Sequence, residues 1–323
     1  MKLVVLDGYT LNAGDLSWEA LGALGELRVY DRTSYTDTAE IIKRIGDATA
    51  VFTNKTPITA EVLAACPTLR YIGIFATGYN VVDLMAAQER DITVTNIPNY
   101  STEAVAQFTF ALLLEIASQV GAHNTSVQAG DWVHSQDFSY CKQPLMELSG
   151  KTMGLIGYGA IAHRVADIAH AFGMRVLYFN HRPKAPQAPW IEQVSLSQLL
   201  GHSDVVSLHV PLFPNTQGMI GSEALQQMKK GAILLNTSRG GLLDEEAVAE
   251  ALNHHHLAAL GADVISVEPM QEENPLLHAP NCYLTPHIAW AAVETRQRLM
   301  DIAVENLRQY LNGTPQNVVR SSN

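Results

Sequence analysis

An apolar run, a glycine turn and a helical pattern follow one another between residues 151 and 172. The turn has the sequence Gly-Tyr-Gly-Ala-Ile-Ala at 157–162. Gly157 permits a tight turn, Gly159 lets the backbone approach a bound group, and the small Ala162 lets the helix pack close to the strand. The first N–H groups of the helix carry a partial positive charge, which suits phosphate. Strand, glycine turn and helix in this order predict a dinucleotide-binding site.

Strand-like and helical patterns alternate along the whole chain, which is typical of parallel α/β architecture. We predict strands at 3–6, 50–53, 71–75, 92–95, 153–156, 176–179, 205–209, 233–236, 262–265 and 283–285. Helices are predicted at 60–65 and 82–90, from about 101 toward 122, and at 292–311. Pro98 disfavours helix at the residue before it and marks a hinge. At 323 residues the chain is long enough for two domains.

The net charge, the cysteines and the histidines limit the partners and the metal sites that we expect. The formal net charge of -11 argues against nucleic acid or an anionic membrane as the main partner. Cys66, Cys141 and Cys282 form no CxxC pair, so neither a disulfide framework nor a thiolate zinc site is indicated. The histidines at 254–256 do not share a helix face, and we expect no metal there. The N-terminal run is too short and too soon acidic for a secretory signal, so we expect a cytoplasmic protein.

Three ionisable residues follow predicted strands of the second region, at the sheet edge where ligands bind in doubly wound folds. Arg239 is permanently charged and planar, so it can hold a substrate carboxylate with two parallel hydrogen bonds. His287 can give a proton to a carbonyl oxygen and take it back. Glu268 would favour the imidazolium and fix the orientation of the ring. Taken singly, Arg239 could be a surface salt-bridge residue, Glu268 a turn residue and His287 a half-buried histidine. Together, at one edge of the sheet, the three residues indicate hydride transfer.

The chain resembles the D-isomer-specific 2-hydroxyacid dehydrogenase family over essentially its full length. The matching motifs are F-A-T-G-Y-N at 75–80, Y-S-T-E-A-V-A-Q at 100–107, the glycine turn, L-H-V-P-L at 208–212, N-T-S-R-G at 236–240, G-A-D-V at 261–264, E-P at 268–269 and T-P-H-I-A at 285–289. The resemblance implies two Rossmann-like parallel-sheet domains with a cleft between them. Residues 1–98 and 290–323 would form a flavodoxin-like substrate domain, and residues 99–289 an NAD(P)-binding domain.

The same resemblance assigns roles to individual residues. The three strand-end residues are the implied catalytic set. Backbone N–H groups at Thr77 and Gly78 would help to hold the substrate carboxylate, and Lys55 and Trp290 are further implied substrate contacts. The implied cofactor contacts, with Asp263 near the nicotinamide amide, are Thr102, Gly157, Gly159, Ala160, Ile161, Asn180, His181, Arg182, His209, Val210, Pro211, Thr216, Thr237, Ser238 and Asp263. In family members, the region that corresponds to residues 123–147 contacts a partner subunit, so we expect a homodimer.

Within the family, the motifs D-G-Y-T-L-N at 7–12, N-K-T-P at 54–57 and H-I-A-W at 287–290 look most like glycerate dehydrogenases, also called hydroxypyruvate reductases. The implied substrate pairs are hydroxypyruvate with D-glycerate, or glyoxylate with glycolate. Glu268 stands where the related formate dehydrogenases carry glutamine, which counts against formate. A rival hypothesis stays open at this point: a nucleotide-sensing binding protein, like the corepressors related to this family.

One position departs from the family pattern. In the family pattern, the second strand of the nucleotide domain ends in an acidic residue that hydrogen-bonds the adenosine ribose. In this chain Asn180 occupies that position. Asparagine keeps hydrogen bonding without repelling a 2′-phosphate, and Arg182 can attract one. The sequence therefore allows NADP as well as NAD as cofactor, unless Arg182 is only a solvated loop charge.

Overall fold

The computed structural model describes residues 1–321 and divides into two compact units. The first unit comprises Met1–Ser101 with the described residues from Ala291 onward, and the second comprises Thr102–Trp290. Each unit is built around a parallel sheet, and helices alternate with the strands, so the predicted α/β fold class is confirmed. The division of roles between a substrate domain and a cofactor domain stays a prediction.

Strands and helices follow one another along the chain. The strands are β1 (Lys2–Val5), β2 (Glu26–Val29), β3 (Ala50–Thr53), β4 (Tyr71–Ile74), β5 (Thr93–Thr95), β6 (Thr152–Ile156), β7 (Arg175–Phe179), β8 (Ile191–Gln193), β9 (Val205–Leu208), β10 (Ala232–Asn236), β11 (Leu257–Ala262) and β12 (Cys282–Leu284). The helices are α1 (Glu19–Gly22), α2 (Thr38–Ile45), α3 (Ala60–Ala65), α4 (Leu84–Gln88), α5 (Thr102–Ser118), α6 (Val120–Gln128), α7 (Ala160–Ala171), α8 (Leu196–His202), α9 (Ser222–Gln227), α10 (Glu245–Asn253) and α11 (Val293–Leu311). Short 3-10 turns occupy Gly8–Thr10, Gly240–Leu242 and Pro275–Leu277.

The first unit holds a five-stranded parallel sheet in the order β2-β1-β3-β4-β5. Its inner strands β3 and β4 are buried at every residue, which accounts for their largely apolar sequence. The C-terminal helix α11 packs against β4, where the ring centroids of Tyr71 and Tyr310 lie 4.9 Å apart. This packing joins the end of the chain to the N-terminal sheet.

The second unit holds a seven-stranded parallel sheet in the order β12-β11-β10-β9-β6-β7-β8. Apolar clusters cover both faces: in β6, Met153 and Leu155 belong to one cluster and Ile156 to the other. The strand order reverses at β6, because β7 lies on one side of it and β9 on the other. Ligands of doubly wound sheets bind beyond the carboxyl ends of the strands at such a switch point.

Three strands differ from the prediction. The chain forms β11 at Leu257–Ala262 and not at 262–265. The β-branched residues after Asp263 favoured the later position, but α5 packs so closely on β11 that a Cβ at Gly261 would lie 3.1 Å from the Ile116 side chain. Small residues therefore fit this strand. The edge strands β2 and β8 escaped prediction because exposed polar residues interrupt their apolar pattern.

The long helix predicted from about 101 toward 122 is broken. Gln119 adopts a left-handed backbone with φ of 49°, which ends α5 and lets α6 begin in a new direction. The Glu115 carboxylate accepts the N–H of Gly121 at 3.1 Å and so satisfies a free donor at the start of α6. No single helix within residues 1–321 is long and apolar enough to cross a membrane; α5 and α6 meet that criterion only as a pair bent by 56°.

Candidate active site

The glycine turn lies where β6 and β9 come together. Gly157 has a φ of 91°, and its N–H donates to the Phe179 carbonyl at 2.9 Å. A Cβ on Gly157 would lie 2.5 Å from the carbonyl oxygen of His209. The backbone after β6 thus touches the backbone after β9, and only glycine fits this contact.

The N-terminus of α7 is open to a ligand. Gly159 is its N-cap, no side chain caps it, and no acidic residue stands in its first turn. A Cβ built on Gly159 would meet no atom within 4 Å, so there is free space in front of the first helical N–H groups. These N–H groups, which include those of Ala160 and Ile161, fit the pyrophosphate of a dinucleotide.

The loop after β7 is basic and carries no acid from Asn180 to Lys184. The Asn180 side chain donates from Nδ2 to the carbonyl oxygen of Arg182 at 2.8 Å. His181 and Arg182 are exposed. Lys184, which was not among the predicted site residues, donates from Nζ to the carbonyl of Tyr158 in the glycine turn at 2.6 Å. The loop therefore presents cations, and no carboxylate, beside the turn.

His209 directly follows β9. Its Nε2 lies 2.9 Å from Ser207 Oγ, while the buried Nδ1 has no hydrogen-bond partner within the described residues. Burial lowers the pKa of His209 to about 4, so the imidazole is neutral near pH 7. Beyond it, the Thr216 hydroxyl donates to the Pro211 carbonyl at 2.9 Å, and this bond shapes the loop that also contains Val210.

Hydroxyl groups join the residues after β10 to β9 and to α5. Ser238 Oγ donates to the Leu208 carbonyl at 2.7 Å, and Thr237 Oγ1 lies 2.9 Å from Thr109 Oγ1 on α5. Thr102, another predicted cofactor contact, is the first residue of α5. These positions are fixed by the structure, and their contact with a cofactor stays a prediction.

Glu268 and His287, two of the three predicted catalytic residues, form a hydrogen-bonded pair. Glu268 Oε2 lies 2.7 Å from His287 Nδ1, and the two side chains are 32% and 31% exposed. Because this contact occupies Nδ1, a proton exchanged with a substrate would be carried on Nε2. The Trp290 indole N–H donates to the His287 carbonyl at 2.8 Å. His287 itself has a left-handed backbone with φ of 56°.

Asp263 holds the turn that carries His287. Its Oδ1 accepts the Thr285 hydroxyl at 2.6 Å and the Ile288 N–H at 2.8 Å, and its Oδ2 accepts the Ala289 N–H at 2.8 Å. Burial raises the pKa of Asp263, and these hydrogen bonds act in the opposite direction. The predicted contact of Asp263 with the nicotinamide amide stays a prediction, since the observed bonds all go to this turn.

Arg239, the third predicted catalytic residue, is exposed beyond the end of β10. Its guanidinium donates to the neighbouring Ser238 carbonyl at 2.7 Å and forms no ion pair within residues 1–321. The charge of Arg239 is available to a substrate carboxylate.

The predicted substrate contacts of the first unit lie on loops after β3 and β4. Lys55 is exposed, and its loop is held by the buried Asp7, whose carboxylate accepts the Lys55 N–H at 2.7 Å and the Thr56 N–H at 2.8 Å. Asp7 had no predicted role, although an acid directly after a buried strand was a usable signal. Thr77 donates through its hydroxyl to the Ile97 carbonyl at 2.7 Å, which fixes the turn that continues into Gly78.

Comparison with known proteins identifies the family. The "D-isomer specific 2-hydroxyacid dehydrogenase, NAD binding domain" family matches residues 110–289. The chain belongs to the D-isomer-specific 2-hydroxyacid dehydrogenase family. It is 53% identical to a hydroxypyruvate reductase of Blautia hydrogenotrophica and 39% identical to a glycerate dehydrogenase of Methylorubrum extorquens, each over 99% of both chains.

A solved structure supports the same conclusion for this dehydrogenase. An acyclic imino acid reductase in complex with NADPH and D-Arg has a TM-score of 0.84 and 30% identity, over 99% of this chain and 100% of the other. The predicted family, the NAD(P)-dependent dehydrogenase class and the cofactor type are therefore confirmed. The rival hypothesis of a nucleotide-sensing binding protein finds no support among these relatives.

Proposed function

We propose that this dehydrogenase reduces hydroxypyruvate to D-glycerate, with glyoxylate to glycolate as a second activity, and catalyses the reverse oxidations. The observation that carries the proposal is the 2.7 Å contact between Glu268 and His287. Arg239, Glu268 and His287 all follow strands of one parallel sheet, as does the glycine turn. The names of the two similar proteins favour hydroxypyruvate with D-glycerate over other substrate pairs.

A nicotinamide cofactor, when bound, would supply the hydride for reduction and accept it in oxidation. His287 donates the proton that the carbonyl oxygen of the keto acid requires, and recovers it in the reverse direction. Glu268 stabilises the imidazolium and orients its ring through Nδ1. Arg239 binds the substrate carboxylate through two parallel hydrogen bonds, which sets the position of the adjacent carbonyl carbon.

The remaining predicted contacts complete the proposal. We assign the backbone N–H groups of Thr77 and Gly78, the Lys55 ammonium and the Trp290 indole to the substrate, as the family resemblance implies. We also propose that the enzyme accepts NADPH. This assignment is supported by the loop after β7, where Asn180 replaces an acid and the side chains of Arg182 and Lys184 supply positive charge beside the glycine turn.

Initial rates with hydroxypyruvate, glyoxylate and pyruvate, each with NADH and NADPH, test the proposed substrates. The test of the mechanism is His287→Ala, for which we expect turnover to fall about 10²–10⁴-fold while the cofactor still binds. His278→Ala, which removes an exposed histidine of the same unit, is the matched control and should keep full activity. Near-normal turnover in a folded His287→Ala enzyme would exclude His287 as the proton donor.

We propose that the enzyme is a homodimer and works in the cytoplasm. The predicted dimer segment exposes large apolar side chains: Trp132 is 52% exposed, Val133 81% and Phe138 91%. Exposed apolar residues clustered in one segment indicate a surface that another chain covers. Light scattering of the wild type should give twice the mass of one chain, and Phe138→Asp should weaken the dimer. A wild-type monomer at micromolar concentration would refute it.

A further inference from the structure

The loop that carries Glu268 needs support from elsewhere, because residues between Asp263 and Asn274 form no helix or strand. Backbone hydrogen bonds within a sheet or helix therefore do not fix the position of the Glu268 carboxylate. The pairing with His287 at 2.7 Å nevertheless demands a defined position. A group outside the loop that binds the loop on both sides of Glu268 would supply that support.

Glu245, the first residue of α10, binds this loop at two points. Its Oε1 accepts the backbone N–H of Ser266 at 2.7 Å, and its Oε2 accepts the Ser266 hydroxyl at 2.7 Å. The same Oε2 accepts Nδ2 of Asn274 at 2.8 Å. Ser266 lies two residues before Glu268 and Asn274 six residues after it, so one carboxylate holds both sides of the loop. Hydrogen bonds to an ionised carboxylate are stronger than neutral ones.

The partners of Glu245 are themselves fixed. Asn274 Oδ1 accepts the N–H of Leu276 at 3.0 Å, which sets the amide so that Nδ2 is presented to Glu245. On the other side, a Cβ at Gly240 would lie 1.8 Å from the carbonyl carbon of Ile265. The turn after Arg239 therefore packs directly on the backbone next to Ser266. The chain from Arg239 to α10 and the Glu268 loop form one connected assembly.

A general effect of charge at the start of α10 does not account for these contacts. Asp244 is the N-cap and accepts the N–H of Ala247 at 3.1 Å. Glu245 and Glu246 both stand in the first turn, where an acid interacts favourably with the helix dipole. Glu246 is exposed and makes none of the loop contacts. The two neighbours thus share the dipole effect and differ in the three hydrogen bonds to the loop.

We infer that Glu245 is a positioning residue for catalysis: it holds the loop of Glu268 so that this carboxylate stays on His287. The inference rests on the proposed role of the Glu268–His287 pair. Glu245 acts through hydrogen bonds to Ser266 and Asn274, and its own contact with substrate or cofactor is not required.

The test compares Glu245→Ala with Glu246→Ala as the matched control and with Glu268→Gln as the reference. The readouts are kcat, the KM for keto acid and for cofactor, the pH profile of reduction and the melting temperature. We expect Glu245→Ala to lower kcat roughly tenfold or more with little change in the cofactor KM, because the catalytic carboxylate loses its position. Its pH profile of reduction should change in the same way as that of Glu268→Gln, because both variants disturb the 2.7 Å contact between Glu268 and His287.

A conservative variant keeps the test decisive if Glu245→Ala folds poorly. Glu245→Gln retains an acceptor for the Ser266 N–H and loses one acceptor, so its kcat and pH profile should lie between those of Glu245→Ala and the wild type. Glu246→Ala should match the wild type in every readout.

Two outcomes overturn the inference and are distinguishable. If Glu268→Gln changes the pH profile while Glu245→Ala alters only the melting temperature, Glu245 is merely structural and the proposed function stands. If Glu268→Gln itself leaves kcat and the pH profile unchanged, the proposed role of the Glu268–His287 pair fails, and positioning by Glu245 fails with it.

Discussion

Replacing either glycine of the 157–159 turn by alanine should harm the enzyme, but in different ways: Gly157→Ala should lower stability and Gly159→Ala should lower cofactor affinity. At Gly157 the backbone has a φ of 91°, and an added Cβ would lie 2.5 Å from the His209 carbonyl oxygen and 2.8 Å from its carbon. The left-handed backbone costs a residue with a Cβ about 1–2 kcal/mol. Overpacking against a neighbour that cannot rotate away adds about 1–3 kcal/mol. We therefore expect Gly157→Ala to lose about 2–5 kcal/mol of folding free energy.

At Gly159 the same methyl group meets a different environment. The backbone there has φ of -95° and ψ of -171°, which alanine adopts readily, and no atom lies within 4 Å of the added Cβ. Stability without cofactor should stay within about 0.5 kcal/mol of the wild type. The methyl group does occupy the space in front of α7, where the pyrophosphate is expected. Cofactor affinity should fall by roughly tenfold or more, about 1.4 kcal/mol.

Two assays separate these effects. Thermal unfolding without cofactor should show a melting temperature lower by roughly 5–20 °C for Gly157→Ala, and an unchanged one for Gly159→Ala. Fluorescence titration with NADH gives the Kd of each folded variant. If Gly157→Ala melts at the wild-type temperature, the backbone segments after β6 and β9 do not pack as closely as 2.5 Å from an added Cβ would require. If Gly159→Ala binds NADH with the wild-type Kd, the pyrophosphate does not lie on α7.

Three further predictions concern single side chains. Arg239→Lys should lower kcat/KM for the best keto acid although the charge is kept, because lysine cannot form two parallel hydrogen bonds; steady-state kinetics checks this, and an unchanged kcat/KM would remove Arg239 as the carboxylate clamp. Asn180→Asp should raise the ratio of kcat/KM for NADH over NADPH by roughly tenfold or more, about 1.4 kcal/mol, in initial rates at fixed ionic strength; a constant ratio would mean that Asn180 does not face the ribose. Burial lowers the pKa of His209 to about 4, below its unfolded value of about 6.5. The unfolded chain then binds more protons, and stability is lost as the pH falls from about 6.5 toward 4. The wild type should therefore lose more melting temperature on acidification than His209→Gln does, and equal losses would contradict the burial of this imidazole.

The parts of the fold that were predictable are those in which burial is continuous. Strands β3, β4 and β6 are buried at every residue, and the sequence of each is apolar apart from glycine and one terminal threonine in β3 and in β6. The edge strand β2 alternates exposed and half-buried residues, so its sequence lacks that apolar pattern. The position of β11 depends on how closely α5 approaches Gly261, and this distance leaves no local pattern in the sequence. Tertiary packing, and not strand propensity, decided that element.

In the candidate site, the catalytic pair could be predicted from the sequence, and the residues that support it could not. The pair Glu268 and His287 was predictable because both are reactive residue types in loops that come after strands of one sheet. The support around it was not: Glu245 bonds to Ser266 across 21 residues, and Asp7 bonds to Lys55 across 48. Such hydrogen bonds join a side chain to a distant backbone N–H group. They impose no periodicity on the sequence and become visible only when the loops are placed.

Three carboxylates that take no part in the proposed proton transfer order the loops that carry predicted site residues. Asp7, Glu245 and Asp263 each accept a backbone N–H from a loop that follows a strand. Loops beyond the end of a sheet have no ladder partners for these N–H groups, and one carboxylate can satisfy several of them at once. The residues assigned to chemistry, Arg239 and His287, then need no rigid partners of their own beyond Glu268. Order in the loops is supplied by carboxylates that make no proposed contact with substrate, and the reactive groups keep their charge and hydrogen-bonding capacity for the substrate.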